Sequence, residues 1–434
     1  MRSPFRVIHS ILALALALLA ASARAEVQLS GFGTFGAAIS DQEFIYQRFI
    51  DDSGTLERDS LLGIQMDARL TPAWGVTLQT KLAPSARDDN DWEPTLSWAF
   101  LSWRPDDGML VRAGRLRLPL MLHSANSDVG TTFAFARLPL ETYSLLPTTD
   151  VNGLSIAKTW FDGAREWTLE GYAGTTHTEW RYYLRDEMPP LFSAGPLFLG
   201  YDCKMLGAVL SLREQNNLWS IGLHRAQVFW DAGALPTQLP FVRLIPNTDI
   251  GYYKIVDSMP GAPLRYADYY DLYMLTLGAK IALPGNIELI GEYARRGFSN
   301  ALVGADTHAA YLALSKRIKR WTPYVYWSGI RSRQQALDLI MRINRNRIPA
   351  QLVGAEQAAM LNTTQRAGAD LLAPFDQYSL GIGAAYHLSP KMVIKAEWLH
   401  TRTGQLSSFI NAPAGEESGG REINVFSLSY SLTF

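Results

Sequence analysis

Hydrophobic and polar residues alternate along most of this chain with a period of two, the spacing of a β-strand with one greasy and one polar face. Leu62, Ile64, Met66, Ala68 and Leu70 interleave with Gly63, Gln65, Asp67 and Arg69. Val76, Leu78, Thr80 and Leu82 alternate with Thr77, Gln79 and Lys81, and Tyr378, Leu380, Ile382 and Ala384 with Ser379, Gly381 and Gly383. No convincing 3.6-residue stripe is present. The pattern predicts strands near 27–40, 60–70, 74–83, 93–103, 108–117, 152–160, 165–174, 201–213, 217–229, 268–283, 285–298, 306–318, 320–331, 375–388, 391–403 and 422–434. That makes sixteen, although fourteen or eighteen also fit the pattern.

The connections fall into two alternating populations. Those at 41–59, 84–92, 118–151, 175–200, 230–267, 299–305, 332–374 and 404–420 are long. The others, such as Thr71-Pro72-Ala73, Asp162-Gly163 and Ser389-Pro390, are short and rich in turn residues. A soluble sandwich has no reason to gather its long loops at one end, whereas a membrane barrel has short periplasmic turns and long external loops. The predicted fold is therefore all-β, a transmembrane antiparallel β-barrel whose closure leaves no unpaired edge in lipid. The last strand agrees, with Phe426, Leu428, Tyr430, Leu432 and Phe434 on one face and Ser427, Ser429 and Ser431 on the other.

Composition then narrows the reading. Lys and Arg number 40 against 41 Asp and Glu, which excludes a nucleic-acid binder working through a general basic field. An aromatic content of 11% excludes disorder, and a single cysteine, Cys203, excludes a disulfide scaffold or a Cys-rich zinc module. The mean hydropathy of −0.04 hides the membrane, because lipid-facing and lumen-facing residues cancel. At the N-terminus, Arg2 and Arg6 precede an apolar stretch from Ile11 to Ala21 and an Ala23-Arg24-Ala25 cleavage pattern. Residues 1–25 are expected to be a secretory signal peptide, too short in its apolar core to anchor the protein. Its removal would leave residues 26–434 as a single barrel and take away three Arg and no acid, moving the net charge from −1 to −4.

Three features carry a resemblance: the opening Val27-Gln-Leu-Ser-Gly-Phe-Gly-Thr-Phe-Gly strand, the Asp376-Gln-Tyr-Ser-Leu-Gly-Ile-Gly-Ala-Ala-Tyr-His-Leu-Ser-Pro hairpin, and the terminal Phe434. On these the chain resembles Gram-negative outer-membrane porins, more closely the group around the phosphate-selective porins than the general diffusion porins. The resemblance implies a water-filled, usually trimeric channel narrowed by its third external loop. It further implies contact with outer-membrane lipid and lipopolysaccharide, and recognition of Phe434 by the barrel-insertion machinery.

The third long connection, 118–151, is unusually apolar for a surface loop, with Leu120-Met121-Leu122, Phe133-Ala134-Phe135 and Leu138-Pro139-Leu140. It is expected to fold into the lumen. Its charges are Asp128, Arg137, Glu141 and Asp150, with His123 able to titrate near neutral pH. The strand before it carries Arg112, Arg115 and Arg117. Because Gly114-Arg115 matches the family position of a pore-lining Arg, the resemblance implies Arg115 as the first constriction residue, with Arg117 and Arg69 behind it and Asp128 and Glu141 facing them. Strict alternation places Arg112 and Arg115 on opposite faces unless Gly114 forms a bulge. Asp67, Lys81, Glu170, Glu288, Glu292, Lys395 and Glu397 fall on the polar face, which suits a wet lumen better than a packed core. Arg331, Arg333, Arg342, Arg345 and Arg347 cluster in the seventh loop, where a solvated loop, an anion-attracting vestibule or a lipopolysaccharide contact all fit.

Gly31-Phe-Gly33-Thr-Phe-Gly36 has dinucleotide-binding spacing, but no helix follows, and small residues on a lumen-facing strand explain it better. No metal spacing, cofactor motif or nucleophile–base set stands out. The sequence thus points to a porin passing small hydrophilic solutes and ions, not an enzyme. A phosphate-type anion channel, or a non-conducting enzymatic or structural barrel, remains as the alternative.

Overall fold

In a computed structural model, which describes residues 26–145, 148–188, 191–299, 306–413 and 416–434, the alternating segments form one closed antiparallel barrel. The expected signal segment lies outside the described residues. The strands are β1 (Glu26–Ser40), β2 (Leu61–Arg69), β3 (Trp74–Pro84), β4 (Trp92–Trp103), β5 (Met109–Arg117), β6 (Asp150–Asp162), β7 (Arg165–Leu184) and β8 (Gly195–Glu214). They continue as β9 (Asn217–Trp230), β10 (Tyr270–Leu283), β11 (Ile287–Ser299), β12 (Thr307–Lys316), β13 (Trp321–Ser332), β14 (Phe375–Ser389), β15 (Met392–Ser407) and β16 (Glu422–Thr433). Each pairs with its sequence neighbour, and β16 closes on β1 from Phe32↔Thr433 to Ser40↔Val425. The result is a closed sixteen-stranded barrel with an apolar exterior; among the described residues no helix is long and apolar enough to cross a membrane.

Exposure follows the predicted alternation. Leu62, Ile64, Leu380, Ile382, Phe426 and Leu428 are exposed on the outside, while Gln79, Gln377, Ser379, Ser427 and Ser431 are buried within. Inside, the polar face of β2 and β3 forms its own ladder: Gln65 Nε2 donates to Asp67 (2.6 Å), Thr77 Oγ1 to Asp67 (2.6 Å) and Gln79 Nε2 to Gln65 (2.8 Å). Trp74 stacks on Trp103, Trp160 on Trp167, and Trp321 lies against Tyr386, all beside short turns. This is the aromatic girdle expected at the periplasmic interface.

Four sequence expectations change. Gly31 and Gly33 lie on the lipid face of β1, not the lumen face, since they share it with exposed Phe35 and Ile39; only Gly36 of that motif points inward. The fourth loop shrinks because β7 and β8 run on past the membrane as a hairpin, paired from Arg165↔Glu214 to Leu184↔Gly195. The polar but β-branched and aromatic stretch Thr175–Tyr183 sustains it. The fifth loop holds two small sheets, Leu235–Pro236 with Tyr266–Ala267 and Phe241–Arg243 with Gly251–Tyr253. The seventh holds helices α1 (Gln334–Arg345) and α2 (Ala355–Asp370), whose Leu337, Ile340, Ile343, Ala358 and Leu361 are buried at helical spacing. They pack with Met188, Leu239 and Tyr252 of the fourth and fifth loops. Of the seventh-loop arginines, Arg331 lies 3.8 Å from Asp376, Arg333 lies 3.3 Å from Asp306, and Arg347 donates to the carbonyls of Asn344 and Asn346.

At the seam, Gly31 N and O bond Phe434 O and N, both at 3.0 Å, and a Cβ on Gly31 would run into the Phe434 ring. Gly31→Val is expected to overpack this closure and cost about 1–3 kcal/mol, read as a lower urea midpoint for loss of the heat-modifiable folded form. An unchanged midpoint would show that the seam tolerates displacement of Phe434.

Candidate functional site

The outer wall is notched where the third loop begins. β5 pairs with β4 only between Ala99↔Arg115 and Trp103↔Val111, although β4 continues to Trp92. β6 meets β7 no higher than Asn152↔Thr175, although β7 continues to Leu184. Gly114 at the notch has φ +136°, and a Cβ there would strike the Ala99 carbonyl. The chain after Arg117 turns through this notch into the lumen, as expected, and returns at Asp150.

Inside, the loop is tied at four places. First, Asp128 receives Lys81 Nζ of β3 (2.8 Å) and Arg117 Nη2 of β5 (2.7 Å), while Arg117 Nε reaches Asp150 (3.2 Å). Burial alone would raise the Asp128 pKa, but the two cations override it and hold it at about 2. Second, Glu292 of β11 accepts from Leu122 N (2.6 Å), Tyr143 OH (2.6 Å) and Tyr311 OH (2.7 Å). Third, Phe135 wedges edge-on among Tyr311, Tyr324 and Tyr326, its carbonyl accepting from Lys395 Nζ at 2.7 Å. Next to it, Arg137 forks onto Asp59 of the first loop (2.7 and 2.5 Å). Burial works against the Arg137 charge, but Asp59 more than offsets it and pushes the pKa up. Fourth, Glu141 accepts from Ser328 Oγ and Gln377 Nε2, both at 2.8 Å, and from Ser379 Oγ.

The residues singled out from sequence therefore separate. Arg117, Arg115, Asp128 and Asp150 come together, with Arg115 at 3.7 Å from Asp150 and its Nε without a hydrogen-bond partner. Arg115 shares its strand face with Ala99 and Asn152, whereas Arg112 lies level with buried Ser102 and Ser155 on the lumen face. The pairing across Gly114 is continuous on both sides, so no bulge brings the two to one face. Arg112 lies 3.4 Å from Glu170 and over the Phe100 ring. Glu141 and Arg137 do not face these arginines; they fasten the loop to β13 and β14 and to the first loop. Arg69 sits at the periplasmic end of β2, opposite Glu26 and Gly75, away from the loop. His123 is 7% exposed, and burial, reinforced by Lys280, lowers its pKa to about 4.

The charges expected on the polar face divide into buried and partly exposed ones. Glu292, Lys395 and Glu397 are buried against the loop, whereas the side chains of Lys81, Arg112 and Glu170 keep 23%, 33% and 19% of their exposure. Sequence reasoning missed Asp59, which carries no motif, and the inward tyrosines 311, 324 and 326, which read like lipid-facing ones. It also missed that His177 of β7 and Asp202 of β8, paired within the hairpin, meet Asp231 just past the end of β9, His177 Nδ1 lying 3.1 Å from Asp202 and 3.8 Å from Asp231.

No protein-family model matches the chain, and neither does any curated protein. Solved structures do. The anion-selective porin from Comamonas acidovorans aligns with 12% identity over 95% of this chain and 100% of its own, at a TM-score of 0.52. The outer-membrane channel DcaP of Acinetobacter baumannii aligns with 10% identity over 94% and 97%, at 0.51. OmpT of Vibrio cholerae, solved in a trimer form, aligns with 9% identity over 94% and 99%, also at 0.51. At these identities the likeness shows the porin fold.

Two titratable groups of the loop, His123 and Asp128, predict its acid response. The His123 pKa falls from 6.5 to about 4 on folding, so its contribution is complete above pH 6.5 and is lost as pH drops towards 4. Asp128 falls from 3.8 to about 2, adding a second loss between those values. Amide exchange in residues 118–149 should accelerate in two stages on acidification, and His123→Gln should abolish the first alone. A single stage in both proteins would refute the assignment.

Proposed function

We propose that this barrel is a passive channel for small hydrophilic solutes and ions, working without cofactor, metal or catalysis. The observation that supports it best is the charged strip of Lys81, Arg112, Arg117, Asp128, Asp150 and Glu170 along the β3–β7 wall, in which Lys81, Arg112 and Glu170 stay partly exposed while Arg117 is buried in its ion pairs. Charged side chains at a constriction set which solutes pass by their local field. Arg115, on the opposite face of β5 from Arg112, touches the strip only through Asp150 at 3.7 Å. The assembly we take is a homotrimer, with lipid and lipopolysaccharide around it and Phe434 offered to the insertion machinery.

Anion preference is the second reading. It is favoured by the strip's composition, in which Lys81, Arg112, Arg115 and Arg117 stand against Asp128, Asp150 and Glu170. A site saturable by phosphate would be its sharper form.

Purified protein added to a planar bilayer is expected to give discrete conductance steps; folded protein that stays silent over a wide voltage range would overturn the channel reading. In a salt gradient, Arg112→Ala and Arg117→Ala should each move the reversal potential towards cations, Arg115→Ala less, and Asp128→Asn, which frees Lys81 and leaves Arg117 on Asp150 alone, towards anions. Reversal potentials unchanged in all four would remove the strip from the ion path.

A further inference from the structure

Directly outside the third loop lies a cavity of about 1210 Å³. Leu140 and Ser144 of the loop form its floor, the upper β7–β8 hairpin and β9 one side, and the first, fifth, seventh and eighth loops the rest. Its surface is mainly apolar and rich in aromatic rings: Trp180 and Tyr201 lie with ring centroids 4.4 Å apart, and Trp230, Phe298, Phe375 and Phe409 line it with them. Aromatic faces of this kind bind flat apolar bodies by stacking and burial.

Two guanidiniums enter this apolar surface without an ion pair. Arg58 and Arg296 both line the cavity, neither has an ion pair or hydrogen bond among the described residues, the Nε of each is shielded from solvent without a partner, and Arg296 lies over the Phe298 ring at 5.5 Å. Burial and the nearby Arg137 draw the Arg58 pKa down to about 10, with Asp59 opposing. The other cavity cations are answered: Arg48 and Arg181 share Asp89, at 2.5 and 2.7 Å. Of the lining acids, Asp257 takes the Leu264 N–H and the Tyr266 hydroxyl, Asp231 stands 3.8 Å from His177, and Glu179 lies within 4 Å of no cation. A buried donor left unmet is costly and is normally satisfied by a partner. The Nε atoms are closed to the cavity as well, so it is the Nη ends, which meet no acceptor among the described residues, that an occupant of the cavity can satisfy.

We propose that this external vestibule binds an organic anion with an aromatic body, an aryl carboxylate, its ring among the aromatic side chains and its carboxylate on Arg58 and Arg296. Guanidinium and carboxylate match as fork to fork. The cavity lies against the third loop at Leu140 and Ser144, on the external side of the barrel. This deepens the channel reading and rests on it only for transport; binding itself does not require conduction.

The test uses the full detergent-solubilised barrel with 2-naphthoate, its neutral isostere 2-naphthamide and acetate as probes, followed by tryptophan emission and calorimetry. Naphthoate should bind saturably, with naphthamide and acetate each at least about tenfold weaker, the loss expected for one charge-assisted contact or for the ring. Added salt should weaken naphthoate but not naphthamide. Arg58→Gln and Arg296→Gln should each cost about tenfold and the double variant more, with the heat-modifiable form retained. Equal affinity for naphthoate and naphthamide, or no effect in either variant, would overturn the proposal, and the probe comparison in the unaltered protein decides it even if the variants fail to fold. In bilayers, naphthoate added outside should block the current in a saturable way. Binding without conductance would sink the channel and leave the vestibule; conductance without binding would do the reverse.

Discussion

In hydrocarbon, a backbone N–H or C=O left unpaired costs several kcal/mol, and the whole molecule is arranged so that none faces lipid. Closure of β1 on β16 follows from that requirement, and so does the place of every irregular segment, which must sit at an end of the barrel or inside it. The third loop enters where β5 and β6 have already ended. Once within, its own peptide groups meet the same demand and are answered by the wall: Leu122 N by Glu292, Ala136 N by Tyr324 and the Phe135 carbonyl by Lys395. The inner face of the barrel takes the place of water for a loop that has left it.

The same residue types therefore serve two purposes in one lumen. Glu397 is buried beneath the hydroxyls of Tyr324 and Tyr326, and Glu292 beneath those of Tyr143 and Tyr311; each is tolerated in a dry site because several donors converge on it. Arg112 and Glu170 form a looser pair in partial contact with solvent, where a charge acts on its neighbourhood rather than on the fold. Surroundings, not residue identity, separate fastening charges from those available to a passing ion.

The strands were legible in the sequence because a half-greasy, half-polar wall imposes a two-residue period, and the third loop because Phe133, Phe135 and Leu138 are too apolar for an outer surface. Beyond the membrane that signal ends. The upper β7 strand mixes Thr, His, Glu and Arg with its aromatic residues, and α1 hides Leu337, Ile340 and Ile343 within a run that also holds Leu339 and Met341. The site was half legible. Arg117 and Asp128 could be proposed from position, but that Glu141 and Arg137 fasten rather than face the passage depends on Gln377, Ser379 and Asp59, which are distant in sequence. Alternation alone set Arg115 opposite Arg112, and the pairing follows alternation rather than the family analogy.

A closed hoop is stiff because its circumference is fixed. Here the periplasmic half of the barrel is such a hoop, hydrogen-bonded all the way round, whereas the outer half is a split sleeve, open at the notch above β5 and β6. What spans the split is ionic: Asp128 joins Lys81 of β3 to Arg117 of β5, and Asp89 joins the second loop to Arg181 of β7. Backbone ladders are indifferent to ionic strength, but such pairs are weakened by salt where solvent reaches them. The two ends of this barrel consequently differ in mechanical character, with a rigid base and a mouth whose compliance is set by the electrolyte around it.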